Sequence, residues 1–199
     1  MTFKNGAATF ELPLNQATIT NGSSAAASGL VNFGKLTFAQ EGDFTVGGAG
    51  LVAFYDEGLE VRREGALETE GRTVTFDVPV DFQTNKLVVA EGDTVVFAKG
   101  VTNAVWWRAA TELTIPAANE GTVVLGGVVP TKLTVNGGTL AFAEDATLPE
   151  NDTMVLTVAE GAKINVPGGQ VLRAKTVTYN GVQVGVGYYS DGWVTGGGR

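Results

Sequence analysis

The side chains with most chemical potential in this chain are carboxylates, and many sit at glycine corners. Glu41, Glu64, Glu91, Glu120 and Glu160 each precede a glycine, and Asp43 and Asp93 lie beside two of them. Stacked carboxylates repel one another unless water or a cation stands between them. Calcium, which takes several oxygen ligands, is the ion such a column would suit. Glu41, Asp43, Glu91 and Asp93 are therefore the candidate calcium ligands, and no other cofactor is expected. Neither an EF-hand loop nor a glycine-rich aspartate nonapeptide accompanies them, and solvated turns account for the same residues. A second cluster, "YDEGLEVRREGALETEGR" over 55–72, mixes carboxylates with arginines. Glu60 and Arg62 stand in it as an acid or base and a cation, the set by which a polysaccharide is cleaved. Mixed charge on an exposed strand also just keeps a surface soluble, and these residues spread over several sides of one repeat unit. In "AVWWRAA", strand alternation turns Val105 and Trp107 inward and Trp106 outward beside Arg108. A ring and a guanidinium so placed would stack on a sugar, although packing beneath a loop or against a partner chain is the favoured reading. Trp106, Arg108, Glu60 and Arg62 are the candidate ligand-binding residues, and no catalytic residue is assigned.

Several chemistries are excluded outright. The 199 residues include no cysteine and no histidine, which removes disulfides, thiolate nucleophiles, Cys/His zinc sites and Ser-His-Asp triads. A formal net charge of −8 repels phosphate backbones and anionic membranes, so no nucleic-acid partner is expected. No apolar run reaches the roughly 18 to 20 residues of a membrane helix. The opening "MTFKNGAATF" lacks the apolar stretch of a signal peptide. That leaves a cytosolic protein or a fragment of a longer exported polypeptide.

The elements that must position these residues are strands. Glycine is frequent, at 28 residues, proline is scarce at 6, and threonine and valine recur throughout. This is the vocabulary of short strands and tight turns. Leu36, Leu59, Leu87, Leu113, Leu133, Leu156 and Val177 open similar phrases 20 to 28 residues apart, with Leu12 a weaker forerunner. A second apolar position follows at Phe44, Leu67, Val95, Val123, Leu140 and Ile164. A third follows at Leu51, Val74, Val105, Val128, Leu148 and Val171. Glu-Gly or Asn-Gly corners recur, where glycine can take a positive φ.

Three short strands per unit, glycine corners and this period predict an all-β, three-sided parallel β-helix of about seven to eight coils with end caps. The anchors should form one inward ladder. The alternative is an antiparallel β-sandwich, which the hairpin signal of "NGG" favours. It offers no reason for a third apolar segment in unit after unit. A single domain, 1–199, is expected: an N-terminal cap over 1–11, coils over 12–181 and a C-terminal cap or tail over 182–199. Tyr188, Tyr189 and Trp193 should seal the last coil. Open coil ends would permit end-to-end self-association.

Between the inward residues of the first segment lie Thr37, Glu60, Val88, Thr114, Thr134, Thr157 and Thr178. This threonine column resembles one rank of an ice-binding solenoid. The second rank, Ala39, Arg62, Ala90, Pro116, Asn136, Ala159 and Asn180, holds no threonine. The favoured reading is that threonine suits an exposed strand and stacks well on itself.

The stretches "GKLTFAQEGDFTVGGAG", "NGGTLAFAEDATL" and "KTVTYNGVQVGVGYYSDGWVTGGG" resemble the passenger-type β-helix repeats of bacterial autotransporter-like surface proteins. The resemblance runs from about residue 30. It implies an extracellular or surface-anchored, non-enzymatic rod with a structural or adhesive role, whose partner is a host or neighbouring-cell surface protein or glycan. It carries over no catalytic residue, and no translocator barrel follows the repeats. A carbohydrate-binding or polysaccharide-cleaving β-helix is the competing expectation.

Overall fold

The computed structural model describes residues 2–3, 8–12, 15–20, 24–28, 30–38, 43–48, 51–61, 71, 73–82, 87–103, 108–109, 111–150, 152–185 and 192–197. Side chains are described from residue 43 onward, those of 48, 55–57, 103 and 108–109 excepted. Among these residues the protein is all-β, with no helix, and its strands pair mostly in parallel.

Three sheets carry the chain. The first holds Thr2–Phe3, Leu30–Phe38, Leu51–Val61, Val80–Phe82, Val101–Asn103 and Arg108–Ala109, with Leu87–Val89 branching from Leu51–Val61. The second runs from Ala8–Leu12, Asn15–Thr20 and Ser24–Ser28 through Phe44–Gly48, Thr73–Phe76, Thr94–Phe97, Thr122–Leu125, Thr139–Phe142 and Lys163–Asn165 to Val194–Thr195. The third holds Glu112–Ile115, Lys132–Val135, Met154–Val158, Ala174–Tyr179 and Val182–Val184. Successive parallel strands of one sheet are separated in sequence by strands of the others. Parallel neighbours require such connections, since a tight turn can join only antiparallel ones.

Register follows like on like. In the third sheet Leu113, Leu133, Leu156 and Val177 are mutual partners, and so are Thr114, Thr134, Thr157 and Thr178. In the second, Phe44, Val74, Val95, Val123, Leu140, Ile164 and Val194 form one unbroken row. Alternation sends one set inward. Val74, Phe76, Val95, Phe97, Val123 and Leu140 are fully buried, while the residues between them stay half-exposed. A one-residue slip would turn every one of these side chains to the wrong face, so burial fixes the register. The first and second sheets meet through aromatics. Phe54 packs edge-on to Phe76 with ring centroids 5.6 Å apart, and Phe82 lies 6.0 Å from Phe97.

The expected pattern needs four corrections. The anchor ladder is interrupted once: Leu36, Leu59 and Leu87 belong to the first sheet, and Leu113 begins a new row in the third. At the interruption the edge of Leu87–Val89 is met by residues 119–121. Val89 N–H donates to Asn119 Oδ1, and Val89 O accepts from the N–H groups of Glu120 and Gly121. Second, Val74 belongs to the second row, between Phe44 and Val95, rather than to the third. Third, Leu51 is buried and Leu148 packs on the core as expected, but two other third segments slip by one residue. Val128 and Val171 are 53% and 42% exposed, whereas Val129 is buried and Leu172 packs on the core. Fourth, Asn15–Thr20 and Ser24–Ser28 form an antiparallel meander with Ala8–Leu12 instead of a first coil. Elsewhere, antiparallel pairing among the described residues joins only Val101–Asn103 to Arg108–Ala109, and Ala174–Tyr179 to Val182–Val184. This is not the pairing of an antiparallel sandwich. Leu67 and Val105 lie outside the described residues.

Candidate interaction faces

The corners decide what the acidic residues do. Ala90-Glu91-Gly92-Asp93 is a β-turn in which Asp93 N–H donates to Ala90 O at 3.0 Å. Ala159-Glu160-Gly161-Ala162 repeats it, with 3.2 Å between Ala162 N and Ala159 O. In both, the glycine stands third in the turn with φ near +80° (+79° and +81°), a conformation a Cβ would oppose. Glu91 and Glu160 thus fall at an exposed turn position that tolerates most residues. Glu120 does not share their place, because the turn there is Pro116–Asn119, closed by Asn119 N–H to Pro116 O.

Asp43 also has a backbone role. Its Oδ1 accepts from Thr73 N–H at 2.7 Å, on the strand next in the second sheet. Asp93 is buried, and its carbonyl accepts from Thr122 N–H. Asp43 and Asp93 begin strands two apart in that sheet, so their backbones stand roughly 9 to 10 Å from one another. No group of three acidic side chains converges among the described residues. Glu41 lies outside them.

Of the proposed ligand residues, Glu60 and Arg108 lie apart. Glu60 projects half-exposed from the first sheet, in register with Thr37 on one side and Val88 on the other. No carboxylate occupies either neighbouring position. Arg108 pairs with Asn103 along the short antiparallel ribbon at the far edge of the same sheet. Arg62 and Trp106 lie outside the described residues, as do Tyr188 and Tyr189. Trp193 is buried and stacks on Tyr179 at 5.0 Å with 14° between planes, as expected of a seal.

The structure brings together two threonine rows, and sequence reasoning found only one. The expected row, Thr114–Thr134–Thr157–Thr178, is in register on the third sheet. Beside it stands the row Glu112–Lys132–Val155–Thr176, in which Lys132 Nζ lies 2.9 Å from Glu112 Oε2. The second row is Thr73–Thr94–Thr122–Thr139, on the second sheet. Its partner row is Thr75–Val96–Val124–Ala141, two residues along each strand. The signal was present in the phrases "TVTF", "TVVF" and "TVVL", whose first and third letters face outward together, and in "TLAF", where Thr139 faces outward while Ala141 is buried. Asn119 was also missed. It is only 1% exposed, and its Nδ2 donates to Gly121 O at 3.0 Å while its Oδ1 accepts from Val89 N–H.

Comparison of the chain with family models, with curated proteins and with solved structures finds no match. No helix of the described residues is long and apolar enough to cross a membrane.

Proposed function

We propose that the chain winds as a three-sided parallel β-helix and serves as a non-enzymatic rod of a bacterial extracellular or cell-surface protein, of the autotransporter-like passenger kind. Its work is rigid display. The stacked core holds flat faces and loops at fixed spacing for contact with a surface protein or glycan of a host or neighbouring cell. The observation that carries this reading is the in-register stacking of like residues across successive repeats, above all Leu113–Leu133–Leu156–Val177 beneath Thr114–Thr134–Thr157–Thr178. Each repeat has too little apolar surface to hold itself together, and stacking makes one continuous core.

The test has two arms. Thr45, Thr75, Val96, Val124, Ala141, Asn165 and Thr195 form one row across the second sheet. The chain has no native cysteine. Spin labels on Thr45→Cys and Thr195→Cys should therefore report a single narrow distance of roughly 29 Å, about six strand spacings at ~4.8 Å. A broad or much shorter distribution would refute the winding. Glycan-array binding and a lyase assay on acidic polysaccharides test the role. Turnover that disappears in Glu60→Gln would refute the non-enzymatic assignment.

A further inference from the structure

The dipeptide Asn-Gly occurs twice among the described residues, at Asn136 and at Asn180, in opposite surroundings. Asn180-Gly181 joins Ala174–Tyr179 to Val182–Val184, the last strand of the third sheet. Both residues are exposed, and both take positive φ. Beyond the chain neighbours of Gly181, nothing described lies within 4 Å of the place a Cβ would take there. Asn180 N–H donates to Val158 O at 2.9 Å, which fixes the asparagine on the stack but not the peptide that follows it. Asn136-Gly137 is half-buried and clamped between repeats. Asn136 N–H donates to Ile115 O at 2.9 Å, and Thr139 N–H to Gly121 O at 3.0 Å. Between them, a Cβ on Gly137 would stand 2.6 Å from Asn119 O and 2.7 Å from Ala117 O.

We infer that Asn180 deamidates of its own accord in the folded chain, and that its conversion to isoaspartate releases Val182–Val184 from the third sheet. The step needs water alone. Gly181 N gives its proton to solvent and bonds to Asn180 Cγ. The Cγ–Nδ2 bond breaks, and the amide nitrogen leaves as ammonia with a proton from water. Water then opens the succinimide ring. Opening at Cγ leaves aspartate, and opening at the main-chain carbonyl leaves isoaspartate, whose chain runs through Cγ. Glycine permits the attack, because it accepts either sign of φ and has no Cβ to obstruct rotation of the Asn180–Gly181 peptide. The same rotation at Asn136 would drive Gly137 into the carbonyls of Asn119 and Ala117.

The two products differ in what they do to the hairpin. Turn type and loop length fix the register of a hairpin. Isoaspartate adds a methylene to the main chain within the turn, so Tyr179 and Val182 no longer face one another as they do in the asparagine form. Aspartate keeps the backbone. It removes the donor that Asn180 Nδ2 offers Glu160 Oε2 at 3.5 Å and sets two exposed carboxylates side by side. Water screens that repulsion, so the lengthened main chain is the larger effect.

The test is incubation of the full chain at mildly alkaline pH, followed by peptide mapping in the mass spectrometer. Mapping separates Asn180 and Asn136 from the same dipeptide at Asn5-Gly6 and Asn21-Gly22. Isoaspartyl methyltransferase labelling of the peptides identifies isoaspartate. In the folded chain Asn180 should convert many times faster than Asn136, and in urea the two should convert at similar rates. By hydrogen exchange, the isoaspartate form should lose amide protection in Val182–Val184 while Met154–Val158 keeps it. Asn180→Asp, shown to be folded by circular dichroism, should keep protection in both strands. Persistence of the Asn180 amide in the folded chain, under conditions that convert it in urea, overturns the proposal. So do equal rates at Asn180 and Asn136 in the folded chain. Full protection of Val182–Val184 in the isoaspartate form overturns the release, and its loss in Asn180→Asp overturns the role of the lengthened main chain.

Discussion

Asn119 carries more of the structure than its neighbours in the "PAANEG" corner. Where the Leu36–Leu59–Leu87 row stops, the strand edge at Val89 needs an acceptor, and the Asn119 side chain supplies it at 3.0 Å. Gly137 and Gly138 close over the same spot. A Cβ on Gly138 would run into Asn119 Nδ2 and Gly121 O, and its φ is +61°. Two outcomes follow. Asn119→Ala, which leaves buried backbone groups without their partner, should lower unfolding free energy by about 1–3 kcal/mol in urea titration. Gly138→Ala should cost more than the ~1 kcal/mol that a glycine-to-alanine change gains at a compatible site. If Gly138→Ala is neutral, the close packing over Asn119 is wrong. The glutamates are the counterexample. Glu91 and Glu160 occupy turn positions that many residues accept, so Glu160→Gln should leave stability within about 0.5 kcal/mol.

At the level of elements, the strand is a two-sided object and its sides are not worth the same. Leu133 is buried between Leu113 and Leu156, and Thr134 lies beside it, half-exposed, between Thr114 and Thr157. Leu133→Ala should cost about 2–5 kcal/mol, since it opens a cavity that rigid neighbours on both sides cannot fill. Thr134→Ala should cost under ~1 kcal/mol, the worth of a cross-strand pair. Chemical denaturation of both variants checks the ratio, and comparable losses would contradict the assignment of faces. The exposed Lys132–Glu112 pair, with both side chains more than half in water, should add little when removed. The turn joining Ala174–Tyr179 to Val182–Val184 shows how one motif changes meaning. Asn180 and Gly181 both have positive φ, +47° and +75°, which makes a hairpin turn of them. The similar Asn136-Gly137 pair instead precedes a positive-φ Gly138 and leads into a parallel strand.

For the molecule as a whole, the ends set the limits of stacking. Trp193, buried and stacked on Tyr179, covers the core beyond Ile164 and Leu156. Trp193→Ala should lower stability by about 3–5 kcal/mol, with loss of amide protection first in Ala174–Tyr179. Uniform loss of protection along the chain would mean that Trp193 is not an end seal. At the other end, the antiparallel meander of Ala8–Leu12, Asn15–Thr20 and Ser24–Ser28 takes the place of a parallel first repeat.

The sequence by itself determined the all-β class, the repeat, and the inward or outward side of most first-segment residues. These are consequences of a period of two along each strand and of glycine at tight corners, both local properties. The burial of Trp193 was legible for the same reason: a large ring near the end of a repeat has one apolar surface to cover. Only the tertiary structure decided where the leucine row breaks, that Val74 belongs to the second row, that Val129 rather than Val128 turns inward, and that two ranks of threonine and valine lie side by side on one face. Those outcomes depend on partners some 20 to 30 residues away, such as Val89 with Asn119 and Thr94 with Thr122. No local period specifies which of several similar strands comes to lie against which.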